Sequence, residues 1–263
     1  MTGGIHYKSG DDIAIMREAG RIVANAHGEL RAALRPGVTT AQLNDLVETV
    51  LRDHDAEPVF LGYPKENAPD FPASICASVN EELVHGIPGP RELQAGDIIS
   101  VDIGARYKGF VGDAAWTYAV DEVPPAVQRL LEVSEEALWV GIRAAVMPAE
   151  TRDVAQAIQR FVERKGYSVV REYTGHGVGR SMHEEPQVPN WWPRKRKQQP
   201  QWESVPLGPG MTIALEPMVN SGLAETEELE DQWTVVTRDG SLCTHFEHSI
   251  AITEGEPLVL TLP

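Results

Sequence analysis

Apolar residues recur at Ile15, Ala19, Ile22, Val23 and Ala26 with a helical period, and the pattern predicts a helix over 11–35 capped by Asp11 or Asp12. The segment Arg31-Ala-Ala-Leu-Arg-Pro-Gly-Val-Thr39 then leads into a second helix, from Thr40 to about His54. The same order returns later. A helix over about 125–146 carries Arg143-Ala-Ala-Val-Met-Pro-Ala-Glu-Thr151 at its end, and a helix over 152–165 follows. Arg31/Arg143, Pro36/Pro148 and Thr39/Thr151 share one offset, so both copies read as helix, proline break, Thr cap, helix.

The repeat extends into strands. Ala95-Gly-Asp-Ile-Ile-Ser-Val-Asp102 matches Pro209-Gly-Met-Thr-Ile-Ala-Leu-Glu216: a glycine turn, an alternating strand, and a carboxylate at the same place. The pattern predicts an α/β chain forming one domain over 1–263. Its two halves, about 1–120 and 121–263, are related by a pseudo-two-fold and have a site between them.

Residues Asp97 to Tyr118 read as a hairpin turning at Tyr107-Lys108. Asp102 then faces Asp113, with Ser100 opposite Ala115 and Ile98 opposite Thr117. Opposed side chains have Cβ atoms about 5 Å apart, and like charges there repel unless something compensates. A divalent cation would compensate. Glu216 stands in an apolar strand before Pro217, and Glu247 stands among apolar neighbours in the second strand of a hairpin turning at Asp239-Gly240. A bare carboxylate is costly in either place. His176 sits between glycines in GHGVGRSMHEEP, which leaves its imidazole unobstructed. Two Asp, two Glu and one His form a hard, oxygen-rich set suited to Mn, Fe or Co. Four carboxylates exceed the needs of one ion, so two ions sharing them, roughly 3.5–4 Å apart, are expected.

The same motif excludes two alternatives. It lacks the GxGxxG of a dinucleotide loop, and His183-Glu-Glu-Pro186 has Gln187 where a zinc-protease helix needs its second His.

Composition adds limits. With 42% hydrophobic and 24% charged residues, 263 residues can bury a sizeable core. A net charge of -16 argues against a general nucleic-acid binder. The chain has neither a signal-peptide pattern nor a membrane-length apolar run, so a cytoplasmic protein is expected. Cys76 and Cys243, the only cysteines, are expected as free thiols. A monomer is the default. The basic run Arg194-Lys-Arg-Lys197, inside WWPRKRKQQPQW, reads either as a solvated loop or as a surface for RNA.

Taken in order, SVNEELVHGIP, VDIGARYKGFVGDAAWTY, REYTGHGVGRSMHEEPQV, TIALEPMVNSG and WTVVTRDGSLCTHFEHSIAIT resemble the type I methionine aminopeptidases of the minimal bacterial kind. The resemblance covers nearly the whole chain. It implies the pita-bread fold, two pseudo-symmetric halves around a curved, mostly antiparallel sheet. It makes Asp102, Asp113, His176, Glu216 and Glu247 ligands of two divalent ions (Co, Mn, Fe or Zn), and His85 and His183 substrate contacts. It implies removal of the initiator methionine from nascent chains whose second residue is small. In that chemistry a hydroxide held between the ions attacks the Met carbonyl. Glu216 would shuttle the proton, His183 would steady the oxyanion, and His85 would bond near the scissile amide. Tyr63, Phe71, Cys76, Met182 and Trp233 are candidates for an apolar methionine pocket.

Three departures stand out. Residues 66–73 vary in length among relatives, Met182 replaces a common aromatic, and 190–205 is longer than the minimal loop yet shorter than a type II insert. An N-terminal zinc-binding extension is not expected. The basic run could touch ribosomal RNA where the substrate emerges. The rival enzymatic reading is a proline-specific aminopeptidase or prolidase, and the non-enzymatic one is a binding protein on the same fold that has lost its ligands.

Overall fold

The computed structural model describes residues 4–193 and 203–263, so the basic run Arg194–Lys197 lies outside the described residues. In the first half, α1 (Gly10–Ala33) and α2 (Thr40–Asp53) precede β1 (Glu57–Pro58), β2 (Ile75–Val79), β3 (Glu82–Val84), β4 (Ile98–Tyr107) and β5 (Phe110–Ala119). In the second, α3 (Pro125–Ala144) and α4 (Thr151–Arg164) precede β6 (Ser168–Val169), β7 (Gly175–Gly177), β8 (Glu184–Val188), β9 (Thr212–Leu215) and β10 (Met218–Asn220). The chain continues through β11 (Thr226–Glu228), β12 (Val235–Thr237), β13 (Cys243–His245), β14 (His248–Ala251) and β15 (Leu258–Val259). Among the described residues, no helix is long and apolar enough to cross a membrane.

All four expected helices form, with small changes at their ends. Ser9, not Asp11 or Asp12, caps α1, and Asp12 closes the capping box from the third helical position. Met16 and Leu30 complete the buried stripe, while Ile15 is only half-buried. Thr39 caps α2 as expected, with Gln42 completing its box. In the second copy the cap position belongs to Glu150, whose N–H donates to Asp153 Oδ2, and Thr151 is the first helical residue.

The helices cover one face of the strands in each half. Ile22, Val23 and Leu30 of α1 and Leu43 and Val47 of α2 pack on Ile99, Val101 and Ile103 of β4. Leu138 and Ile142 of α3 and Val154 and Ile158 of α4 pack on Ile213 and Leu215 of β9. Corresponding bonds close the two halves. The N–H of Gly96 donates to Val120 O and that of Val120 to Asp97 O; the N–H of Gly210 donates to Ile252 O and that of Ile252 to Met211 O.

Among the described residues every strand pairing is antiparallel, in the orders β1-β4-β2 with β5 on β4, β13-β10-β6, β11-β12-β3 and β15-β14-β9-β7-β8. Two expected pairings change. The β4–β5 turn falls on Lys108-Gly109, both in the left-handed region, so Tyr107 faces Phe110 and Asp102 faces Ala115, not Asp113. Ser100 now faces Thr117, Ile98 faces Ala119, and Asp113 faces Gly104. The chain also turns near Asp239-Gly240, but the flanking strands diverge. β12 pairs with β3 and β11, whereas β13 pairs with β10, so the expected hairpin does not form. Glu247 consequently lies just before β14 rather than within a hairpin strand.

Candidate metal centre and pocket

The halves are stitched together where the acids sit. The N–H of Glu247 donates to Ala115 O at 2.8 Å, and Ser249 Oγ donates to Asp113 O at 2.8 Å. These bonds lay the start of β14 against β5. Asp102 reaches the same face because the register shift is two residues, which preserves the alternation of side chains. Glu216-Pro217 and Phe246-Glu247 are paired interruptions. His248 faces Leu215 on one side of the break, and Met218 faces His245 on the other. Each interruption frees one glutamate from a ladder and turns it inward.

His176 arrives on β7, between β8 and β9. A Cβ on Gly175 would stand 2.3 Å from Ala214 O, and one on Gly177 would stand 2.3 Å from Glu185 O. Only glycine permits that approach, so the flanking glycines set the depth of the imidazole. His176 Nδ1 lies 2.9 Å from Gly177 O, and Nδ1–H donating there leaves the Nε2 lone pair facing the acids. Nε2 is 3.6 Å from both Asp113 Oδ2 and Glu216 Oε1. Ligand atoms of Asp113, His176 and Glu247 all lie within 4.8 Å of one another.

The electrostatics point to a cation. Burial pushes Asp102, Asp113, Glu216 and Glu247 well above the ordinary carboxylate range. The negative charge of neighbouring acids pushes Asp102, Asp113 and Glu247 further up. Among the described residues, the buried oxygens Asp102 Oδ1, Asp113 Oδ1 and Oδ2, and Glu247 Oε1 have no hydrogen-bond partner. Buried acids without donors are costly, and a divalent cation supplies both the charge and the bonds they lack. The donor set therefore fits divalent metal.

These residues form the floor of a cavity of about 170 Å³. Phe71, Cys76, Met182 and Trp233 are buried in its wall, joined by Phe60 and Val84, which the sequence did not single out. Phe71 and Trp233 meet edge to face at 5.1 Å, and Trp233 Nε1 donates to Pro69 O at 2.8 Å. The variable stretch before β2 is held by paired bonds, Gly62 N–H to Phe71 O and Phe71 N–H to Tyr63 O, which bring Tyr63 and Phe71 to the same rim. His85 has φ of 58° and packs edge to face on Trp233 at 6.2 Å. Burial lowers its pKa to about 4, so the ring is neutral near pH 7.

His183 lies beside His176, ring centroids 4.2 Å apart, and burial lowers its pKa as well. Its segment is tied down by Glu184, which accepts from the N–H of Arg180 and Ser181 and from Lys8 Nζ at 2.5 Å. One further residue escaped the sequence reading. His245 lines the floor, with Nε2 3.3 Å from Glu216 Oε2. The signal was present: His245 and Glu247 are two apart, the spacing that puts side chains on one face of an extended segment.

Residues 14–254 match metallopeptidase family M24. The chain is similar to methionine aminopeptidase 1 of Bacillus subtilis (strain 168), 49% identical over 254 residues that cover 97% of this chain and 98% of that one. It is similar in structure to a methionine aminopeptidase from Thermotoga maritima, with a TM-score of 0.91, 41% identity and coverage of 99% and 100%. An Xaa-Pro dipeptidase from Bacillus anthracis shares the fold alone, with a TM-score of 0.76 at 23% identity over 97% of this chain and 61% of that one. The fold is the pita-bread fold.

Proposed function

The chain belongs to metallopeptidase family M24, and on that footing we propose that it removes the N-terminal methionine of nascent polypeptides whose second residue is small. One observation carries this reading: four carboxylates, three of them buried and Asp102 half-buried, converge with an imidazole at the floor of a cavity walled by sulfur and aromatic side chains. Such a wall suits a flexible thioether, which packs well against rings. We propose Asp102, Asp113, His176, Glu216 and Glu247 as the holders of two divalent cations, of the Mn, Fe, Co or Zn class, because four carboxylates exceed what one ion needs.

Cations held there supply positive charge that polarises a carbonyl and makes a water more acidic. The chain's own groups do the rest. Phe71, Met182, Cys76 and Trp233 hold the methionine side chain and exclude water. Neutral His183 donates from Nε2 to the carbonyl oxygen as charge builds on it. Glu216 takes a proton from the attacking water and returns it to the leaving nitrogen. His85 steadies the scissile amide. The whole of 1–263 acts as one catalytic domain, with halves near 1–120 and 121–263. A cytoplasmic monomer that makes passing contact with the ribosome through Arg194–Lys197 completes the proposal.

The prolidase reading is tested alongside. Mass spectrometry of Met-Ala-Ser, Met-Leu-Ser and Ala-Pro incubated with the protein and Mn or Co should show methionine lost mainly from the first peptide. Cleavage confined to Ala-Pro would overturn the substrate assignment.

A further inference from the structure

Glu216 lies between two imidazoles. Its Oε1 is 3.6 Å from His176 Nε2, and its Oε2 is 3.3 Å from His245 Nε2. His245 Nε2 is also 4.0 Å from Glu247 Oε2. The His245 side chain is 3% exposed, and its Nε2 is buried without a hydrogen-bond partner among the described residues. An acceptor oxygen at 3.3 Å with no hydrogen bond to it means that an N–H on that nitrogen would point elsewhere.

The spacing has another explanation. Donors bonded at about 2.1 Å to one ion stand about 3.0–3.4 Å apart when they are neighbours in its shell. His245 Nε2 meets Glu216 at that separation, and it stands to Glu216 and Glu247 much as His176 stands to Glu216 and Asp113. The main chain is fixed for this task. The N–H of His245 donates to Thr117 Oγ1, and Thr117 Oγ1 donates to His245 O, both at 2.9 Å.

We propose that His245 is a further metal ligand, giving the centre a second imidazole nitrogen beside Glu216 and Glu247. A second nitrogen tilts the site toward borderline transition cations and away from Mg and Ca. The proposal rests on the reading of this cluster as a divalent-metal centre.

The test uses the full chain labelled with nitrogen-15 histidine and loaded with cadmium-113. One-bond coupling splits the resonance of a nitrogen bonded to the metal and leaves neighbouring unbonded imidazoles unsplit. Two split imidazoles are expected, and His245→Gln should remove one of them. Calorimetry should show cobalt binding losing about tenfold or more in affinity in that variant. A single split imidazole in the unaltered protein would overturn the proposal while leaving the metal centre in place. Failure to bind cadmium or cobalt at all would overturn both. The count on the unaltered protein decides the matter even if the variant does not fold.

Discussion

The hydroxyl of Tyr63 lies 2.6 Å from Nδ1 of His183, across the mouth of the cavity. Burial raises the pKa of the phenol and lowers that of the imidazole, so both partners are neutral near pH 7. The phenol therefore donates to Nδ1, and the ring proton resides on Nε2, the nitrogen that would meet a substrate oxygen.

Removing that hydroxyl should loosen the tautomer without emptying the pocket. Tyr63→Phe is expected to lower kcat about tenfold while KM for a methionine peptide changes little. Steady-state kinetics separates the two. A rise in KM alone would mean that Tyr63 serves only as pocket wall.

The crowded acids predict an unusual pairing of stability and activity. Without metal, Asp113→Asn should unfold at a higher temperature than the unaltered chain, because one member of a repelling buried cluster is gone. With metal it should release methionine at least about a thousandfold more slowly. Thermal unfolding in chelator, read beside a peptide assay, checks both halves.

The pH dependence has two opposing parts. The raised carboxyls bind protons more readily folded than unfolded, so they stabilise the metal-free chain as pH falls toward the unfolded values and cost stability as pH rises and they ionise. His27 works the other way. Burial lowers its pKa to about 4, and its ring lies 2.9 Å from Tyr118 Oη and 3.0 Å from Ala114 O. The unfolded chain takes up that proton first, so His27 contributes stability above about pH 6.5 that is lost as pH falls toward 4, on the order of 3 kcal/mol. Added metal should accordingly raise the unfolding temperature more at pH 7.5 than at pH 5. Equal stabilisation at both would deny that the acids must ionise to bind it.

Gly177 sets a geometric limit. A methyl group there would stand 2.3 Å from Glu185 O, so Gly177→Ala must push β7 away from β8. About 1–3 kcal/mol of stability should be lost. Metal affinity should fall too, because His176 is displaced with its strand, and calorimetry with cobalt reads that directly.

Much of the site was legible because its chemistry violates ordinary strand composition. Asp102, Asp113, Glu216 and Glu247 stand where apolar residues belong, and that conflict can be read without a structure. Register was less legible. The turn at Lys108-Gly109 depends on left-handed backbone at both residues, and moving it by one position shifts every opposed pair by two. The same-face relation of Asp102 and Asp113 survived only because a shift of two keeps the side-chain alternation. The divergence of β12 from β13 was not legible, since it depends on partners distant in sequence: β3 for one strand and β10 for the other. Tyr63 illustrates the same limit. Its chemistry suggested a pocket wall, but its bond to His183 spans 120 positions and follows from the closed stretch ending at Phe71.

The most direct test of the account is methionine release by chelator-stripped protein given back stoichiometric Mn or Co. Free methionine should appear from Met-Ala-Ser only after metal is restored, and not from the N-acetylated peptide. Absence of methionine release with every divalent metal tried, while the protein remains folded and loaded, would contradict it.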